Sequence, residues 1–204
     1  MLLFHMPRKP DIGLGRRALL FGGIAASALA GRSALAIDRL KIGGEHGTID
    51  FSIGNTRIFS TTGSFKDWRG MVDVDEADIP KSRVDVRINT KSVEMLDSQQ
   101  TAMLKDADFF DVEDFPEMTF HSKSVQRTGG NKLKVTGEVT LRGITKPMVL
   151  DISVTDRKPD APAGARYARF RGEGKIKRSE FGMTKYIDVV GDVVDISIRA
   201  EAWR

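Results

Sequence analysis

Few residues in this chain could carry chemistry of their own. Its 204 residues include three histidines and no cysteine. Disulfides, thiolate-bound zinc, iron–sulfur clusters and cysteine nucleophiles are therefore excluded. A metal site wants three or four convergent ligands. His5 lies near the start of the chain, which leaves His46 and His121, and His121 stands on the outward parity of an alternating segment. Arg178-Ser179-Glu180 sets a hydroxyl between two charges, yet no base stands beside Ser179 and no Gly-x-Ser-x-Gly elbow occurs. The triplet fits a turn held by an arginine–backbone or arginine–carboxylate contact, with Gly182 allowing a close backbone approach. Asp108, Asp111, Glu113, Asp114 and Glu117 surround Phe109-Phe110 but lack calcium-loop spacing, so they read as a solvated rim. Gly143-Ile144-Thr145-Lys146-Pro147 is a hairpin turn without phosphate-loop spacing. No catalytic set, metal site or cofactor is assigned. A lipid hydrolase would need a Ser–His–carboxylate cluster that the spacing does not supply.

What the sequence does supply is apolar side chains at a spacing of two, the mark of strands with one dry face. Ile49, Phe51 and Ile53 share a face, as do Val84, Val86 and Ile88. Met118 and Phe120, then Leu133, Val135, Val139 and Leu141, follow the same rule. So do Met148, Leu150, Ile152 and Val154, then Ala168, Phe170 and Ile176, then Val194, Ile196, Ile198 and Ala200. Breaks carry turn chemistry at Ile79-Pro80-Lys81-Ser82, Thr128-Gly129-Gly130-Asn131 and Asp160 to Gly164. Asp97 to Asp108 lacks the alternation and predicts a short helix, capped by Asp97 or Ser98, with Ala102, Met103 and Leu104 inward and Phe109-Phe110 as anchor. Trp68 is expected to fill the barrel base or gate its mouth. These elements show no βαβ spacing. They predict an all-β fold, an antiparallel sheet closed into a barrel of about eight strands, just wide enough for its own side chains or one slender ligand. Periodicity fits a solid interior and a hollow one equally.

The first 36 residues read as an address. Arg16-Arg17 precedes a weakly apolar stretch from Ala18 to Ala30, and Ala34-Leu35-Ala36 has the small-x-small form of a cleavage site, so cleavage is expected after Ala36. The paired arginines fit a twin-arginine signal, although Leu19 stands where Phe is commonest and no Lys follows. The expected domains are thus 1–36, a cleavable signal segment, and 37–204, the barrel. The formal charge of +4 belongs to the address. It holds five of the 32 basic side chains and one of the 28 acidic ones, leaving 27 of each sign in the rest. A balanced chain argues against nucleic-acid binding, which needs a basic face.

Four motifs then resemble the YceI-like family of periplasmic polyisoprenoid-binding proteins. They are Gly63-Ser64-Phe65 through Gly70, the long run Ala107 to Ser122, Gly137-Glu138-Val139-Thr140-Leu141-Arg142-Gly143-Ile144-Thr145-Lys146-Pro147, and Arg178-Ser179-Glu180-Phe181-Gly182-Met183 closed by Val190 to Val194. Their order and spacing fit across about residues 38 to 203. The resemblance implies an exported, periplasmic, lipocalin-like barrel whose elongated apolar cavity holds one isoprenoid chain, of quinone or polyprenyl type, and implies no catalysis. The walls would come from Phe51, Ile53, Phe59, Phe65, Val86, Ile88, Met103 and Phe109. Phe110, Met118, Phe120, Leu150, Phe170, Phe181 and Met183 would complete them, methionines adapting to irregular ligands. His46, Asn55 and Arg178 are the candidate head-group contacts. Here the chain departs from the family, with Gly47 after His46 in place of serine, Asn55 in a frequent His position, and Gln100-Thr101-Ala102-Met103 where Arg-Asp-x-His is common. Partners would be the lipid and, transiently, a membrane; some members of the family pair up, though nothing in this chain marks a homodimer interface. The alternative is a barrel filled by its own phenylalanines and methionines that serves as an interaction or stress-response module.

Overall fold

The computed structural model describes residues 37–54 and 60–204. The expected signal segment with Ala34 and Ala36, and the candidates Asn55 and Phe59, lie outside the described residues.

Eleven strands form eight lines around a closed antiparallel barrel. Three lines are broken pairs: β1 (Asp38–Gly43) with β2 (Gly47–Ile53), β3 (Thr61–Phe65) with β4 (Trp68–Val74), and β5 (Arg83–Asn89) with β6 (Val93–Met95). Five are continuous: β7 (Glu117–Gly129), β8 (Lys132–Leu141), β9 (Ile144–Arg157), β10 (Arg166–Lys177) and β11 (Val193–Trp203). β11 closes the ring on both halves of the first line, with Ala200 opposite Gly47 and Trp203 opposite Lys41. A 3-10 turn at Gly44–His46 separates those two registers. Closure removes most of the open edges that invite strand addition. One edge remains. β6 pairs only with β3, and the chain that follows it, with α1 (Ser98–Lys105), precedes β7.

Local chemistry sets the ends of these elements. Asp97 caps α1 by accepting the Gln100 N–H at 2.8 Å. Met103 and Leu104 face inward as expected, whereas Ala102 is exposed. The β8–β9 turn puts both Arg142 (φ 52) and Gly143 (φ 70) in the left-handed region, the type I′ geometry that matches strand twist. Arginine is tolerated there because its guanidinium donates to the Ala107 carbonyl at 2.6 Å and also to that of Phe109. The second helix, α2 (Ile187–Val190), is a single turn that the sequence did not signal.

The alternation in sequence becomes an inner and an outer wall. Inner side chains such as Leu141, Val135 and Phe120 are buried. The outer wall carries cross-strand ion pairs, among them Arg87–Glu117 at 2.9 Å and Lys123–Glu138 at 2.8 Å. Being exposed, such pairs contribute little to stability; their use is to keep that face wet. Stability rests on the inner wall. Leu141, 1% exposed, is expected to lose about 2–5 kcal/mol on Leu141→Ala, read as a lower urea midpoint with an unchanged slope.

Candidate ligand-binding cavity

The barrel encloses a cavity of about 480 Å³, within the roughly 300–1,000 Å³ of small-molecule sites. Its walls take side chains from all eight lines, for example Ile49, Phe65, Val86, Val125, Leu150 and Ile198. The lining reaches exposed residues at both ends. At one end lie the β4–β5 loop, the β7–β8 and β9–β10 tips and the start of β1; this is the terminus end. At the other, the helix end, lie α1, the β8–β9 turn and the β10–β11 connection.

Glycines on the inner wall keep the centre open. A Cβ on Gly63 would stand 2.4 Å from the Phe51 ring, one on Gly137 2.6 Å from the Phe120 ring, and one on Gly47 2.8 Å from the Trp68 indole. Each large ring thus occupies the space beside bare backbone that a Cβ would otherwise take. Trp68 accordingly sits in the wall beside the strand breaks, against Gly44 and Gly47, and neither fills the base nor gates a mouth.

Of the apolar candidates within the described residues, the structure brings all but one into the lining. Phe51, Ile53, Phe65, Val86, Ile88 and Met118 face the cavity from β2, β3, β5 and β7. Phe120, Leu150 and Phe170 face it from β7, β9 and β10, Met183 from the β10–β11 connection, and Met103, Phe109 and Phe110 close over it at the helix end. Phe110 anchors the covering segment by edge-on contacts to Phe65 at 5.3 Å and Phe51 at 6.3 Å. Phe181 is the exception. It is buried to 1% exposure in a 3-10 turn and packs in the core without reaching the cavity. His46 also departs from expectation: it is exposed at the break between β1 and β2, outside the lining, its ring 4.6 Å from that of Trp203. His121 lies on the outer wall and pairs with Asp85 at 2.6 Å.

Arg178 is different in kind. The side chain is 5% exposed and belongs to the lining. Its Nε donates to the Gly191 carbonyl at 2.9 Å and one Nη to that of Met183 at 3.2 Å; the other Nη is buried and has no partner among the described residues. Asp192, which could have neutralised it, instead accepts from the Ser179 N–H at 2.9 Å and hydroxyl at 2.8 Å. Burial pushes the guanidinium below its ordinary pKa, with Asp192 opposing from a distance. The result is a cation with no ion pair among the described residues beside an apolar space, an arrangement that costs energy unless an acceptor compensates it.

The terminus end is balanced by contrast. Tyr167 donates its hydroxyl to Glu76, which also pairs with Arg157, and all three line the cavity. Hydrogen bonding from Tyr167, then from Arg157, holds the Glu76 carboxyl below its usual range. Burial and the Glu76 contact push the Tyr167 phenol up to about 12.

With this geometry in place, comparison with known proteins is decisive. The YceI-like domain model matches residues 40–202. This chain belongs to the YceI-like family. Protein YceI of Salmonella newport (strain SL254) is 34% identical over 184 residues, spanning 89% of this chain and 95% of that protein. Among solved structures, Burkholderia cenocepacia BcnA superposes with a TM-score of 0.66 at 26% identity, covering 76% of this chain and 95% of that one. A polyisoprenoid binding domain from Saccharophagus degradans, implicated in plant cell wall breakdown, shares the fold with a TM-score of 0.58 at 12% identity over 82% of this chain and 98% of its own.

Two features of this YceI-like barrel escaped the sequence reading. The inward glycines were visible as gaps in the alternation, since Gly137 falls between Val135 and Val139 on one face. The Glu76–Arg157–Tyr167 group left no local signal, because its members come from a loop and two different strands. That group makes a testable prediction. Since the folded protein favours the neutral phenol, the stabilisation is whole below pH ~10 and lost as pH rises through about 12. Of the two tyrosines, one should titrate late by phenolate absorbance, and Tyr167→Phe should remove both the late step and the matching loss of stability.

Proposed function

We propose that this protein is an exported carrier or buffer that holds a polyisoprenoid lipid, of quinone or polyprenyl type, in its barrel. One observation carries the reading: a single cavity, walled almost wholly by hydrocarbon side chains, runs from the helix end to the terminus end. A thread-like chain buried there gains roughly 0.8 kcal/mol per methylene, less the cost of ordering it. The shared fold of the Saccharophagus degradans domain supports the same class of cargo. A filled barrel is disfavoured by the volume that the inner glycines leave open. Catalysis is disfavoured by the placement of His46 and His121, neither of which reaches the lining, and of Ser179, whose hydroxyl is taken by Asp192.

Arg178 gives the cargo an orientation. Its second Nη would donate to an oxygen of the head group at the helix end, leaving the hydrocarbon to extend toward the terminus end. Purified protein, stripped and then offered farnesol or farnesyl phosphate, should take up one lipid per chain by native mass spectrometry. Arg178→Met should weaken the phosphate ligand more than the alcohol. A clean apo barrel that accepts no isoprenoid would overturn the proposal.

Export to the periplasm is part of the reading. The match to the Salmonella protein covers more of the chain than residues 37–204 provide, so it includes part of the first 36. A twin-arginine route carries folded cargo and would allow loading before export. Replacing Arg16 and Arg17 with lysine should leave the precursor in the cytoplasm in a fractionation assay; normal export of that variant would refute the route.

A further inference from the structure

We infer that the helix end of the barrel docks on the surface of a zwitterionic lipid bilayer, so that cargo passes between membrane and cavity without crossing water. The inference rests on the lipid-carrier reading above and adds the partner. Seven large apolar side chains are exposed among the described residues, and five stand at this end: Leu96, Ile144, Tyr186, Val189 and Val193. Of the other two, Val149 sits midway along the outer wall and Ile37 at the terminus end. Leu96 is 104% exposed and Val189 80%, so both project from the surface entirely or nearly so. Isolated exposed aliphatics are ordinary; five gathered at one end of a barrel are a patch that marks an interaction site.

The patch is continuous with the cavity. Tyr186 belongs both to it and to the lining, and its ring lies 6.4 Å from that of Phe109, a second lining residue. Val189 neighbours Val190 on α2, and Leu96 precedes α1, whose Gln100 and Met103 line the same space. Lys185 pairs with Asp108, and Arg142 donates to the Ala107 carbonyl, so the segments that carry the patch are tied together. Tyr186 is one of three non-glycine residues with positive φ among the described residues, at 58°. Such a conformation persists only where its surroundings enforce it and gathers at functional positions.

The form of the patch selects a bilayer over a folded partner. Its members are spread over three connections, with Leu96 after β6, Ile144 at the β8–β9 turn, and Tyr186, Val189 and Val193 between β10 and β11. Single aliphatic tips, with an aromatic ring and a lysine ammonium 5.5 Å above it, suit the boundary between headgroups and acyl chains. Lys185 is already paired with Asp108, and Asp106 acts on it as well, so anionic headgroups are not the attractant. The terminus end offers no such contact, since its rim is occupied by Glu76, Arg157, Asp38 and Arg204 in ion pairs.

The test uses the mature protein, phosphatidylcholine vesicles carrying a fluorescent prenyl lipid, and soluble farnesyl phosphate. Leu96→Glu/Val189→Glu alters two exposed residues that do not line the cavity. Transfer from vesicles should slow by roughly tenfold or more, while uptake of farnesyl phosphate from solution stays at the wild-type level. Val149→Glu, an equally simple change on the outer wall, should transfer at the wild-type rate. The docking face is overturned if the double variant transfers as fast as wild type, or if Val149→Glu slows transfer as much. Failure of wild type to bind farnesyl phosphate at all would instead strike the carrier reading beneath it.

Discussion

Large rings seated against bare backbone are the contact on which the interior depends. An eight-stranded barrel is narrow enough for its own side chains to fill. Phe51, Phe120 and Trp68 would do so if their neighbours carried a Cβ. Gly63, Gly137 and Gly47 instead let each ring approach the wall to within the space of a missing methyl. The same residues that could have plugged the centre thus become its lining. Close packing is preserved along the wall, where it contributes to stability, and suspended along the axis, where a ligand can restore it.

The two ends of the cavity handle charge in opposite ways. At the terminus end a carboxylate, a phenol and a guanidinium satisfy one another. At the helix end the Arg178 guanidinium finds only two carbonyls, while the nearest carboxylate is committed to Ser179. Buried polar groups are normally satisfied, so an unsatisfied one beside an apolar space gives the cavity a direction. The apolar patch lies at that same end.

Much of the fold was legible because a barrel wall is a local pattern. Alternation such as Val84, Val86, Ile88 is enforced residue by residue by the difference between oil and water. Inward parity also placed Phe51, Met118 and Leu150 at the cavity. Parity failed where the chain leaves the ladder: His46 and Phe181 both sit in 3-10 turns, so spacing says nothing about which way they point. The partners of Arg178 were open in sequence between backbone and carboxylate, because the choice depends on where Asp192 lands. Cooperation among Glu76, Arg157 and Tyr167 depends on loop and strands meeting in space, and no window of sequence contains it.

The unpartnered edge of β6 has a mechanical meaning. Elsewhere the wall is stitched by backbone hydrogen bonds, and parting two strands would mean breaking a whole row of them. Between β6 and the beginning of β7 the stitching stops after Thr90, whose N–H and hydroxyl reach Pro116 and Phe115. Beyond that point the barrel is covered by α1 and the Phe109-Phe110 segment, held by contact of Phe110 with Phe51 and Phe65 and by side-chain bonds from Thr101, Arg142 and Lys185, with no strand pairing. The container therefore has one side panel that can be lifted without unravelling the weave around it.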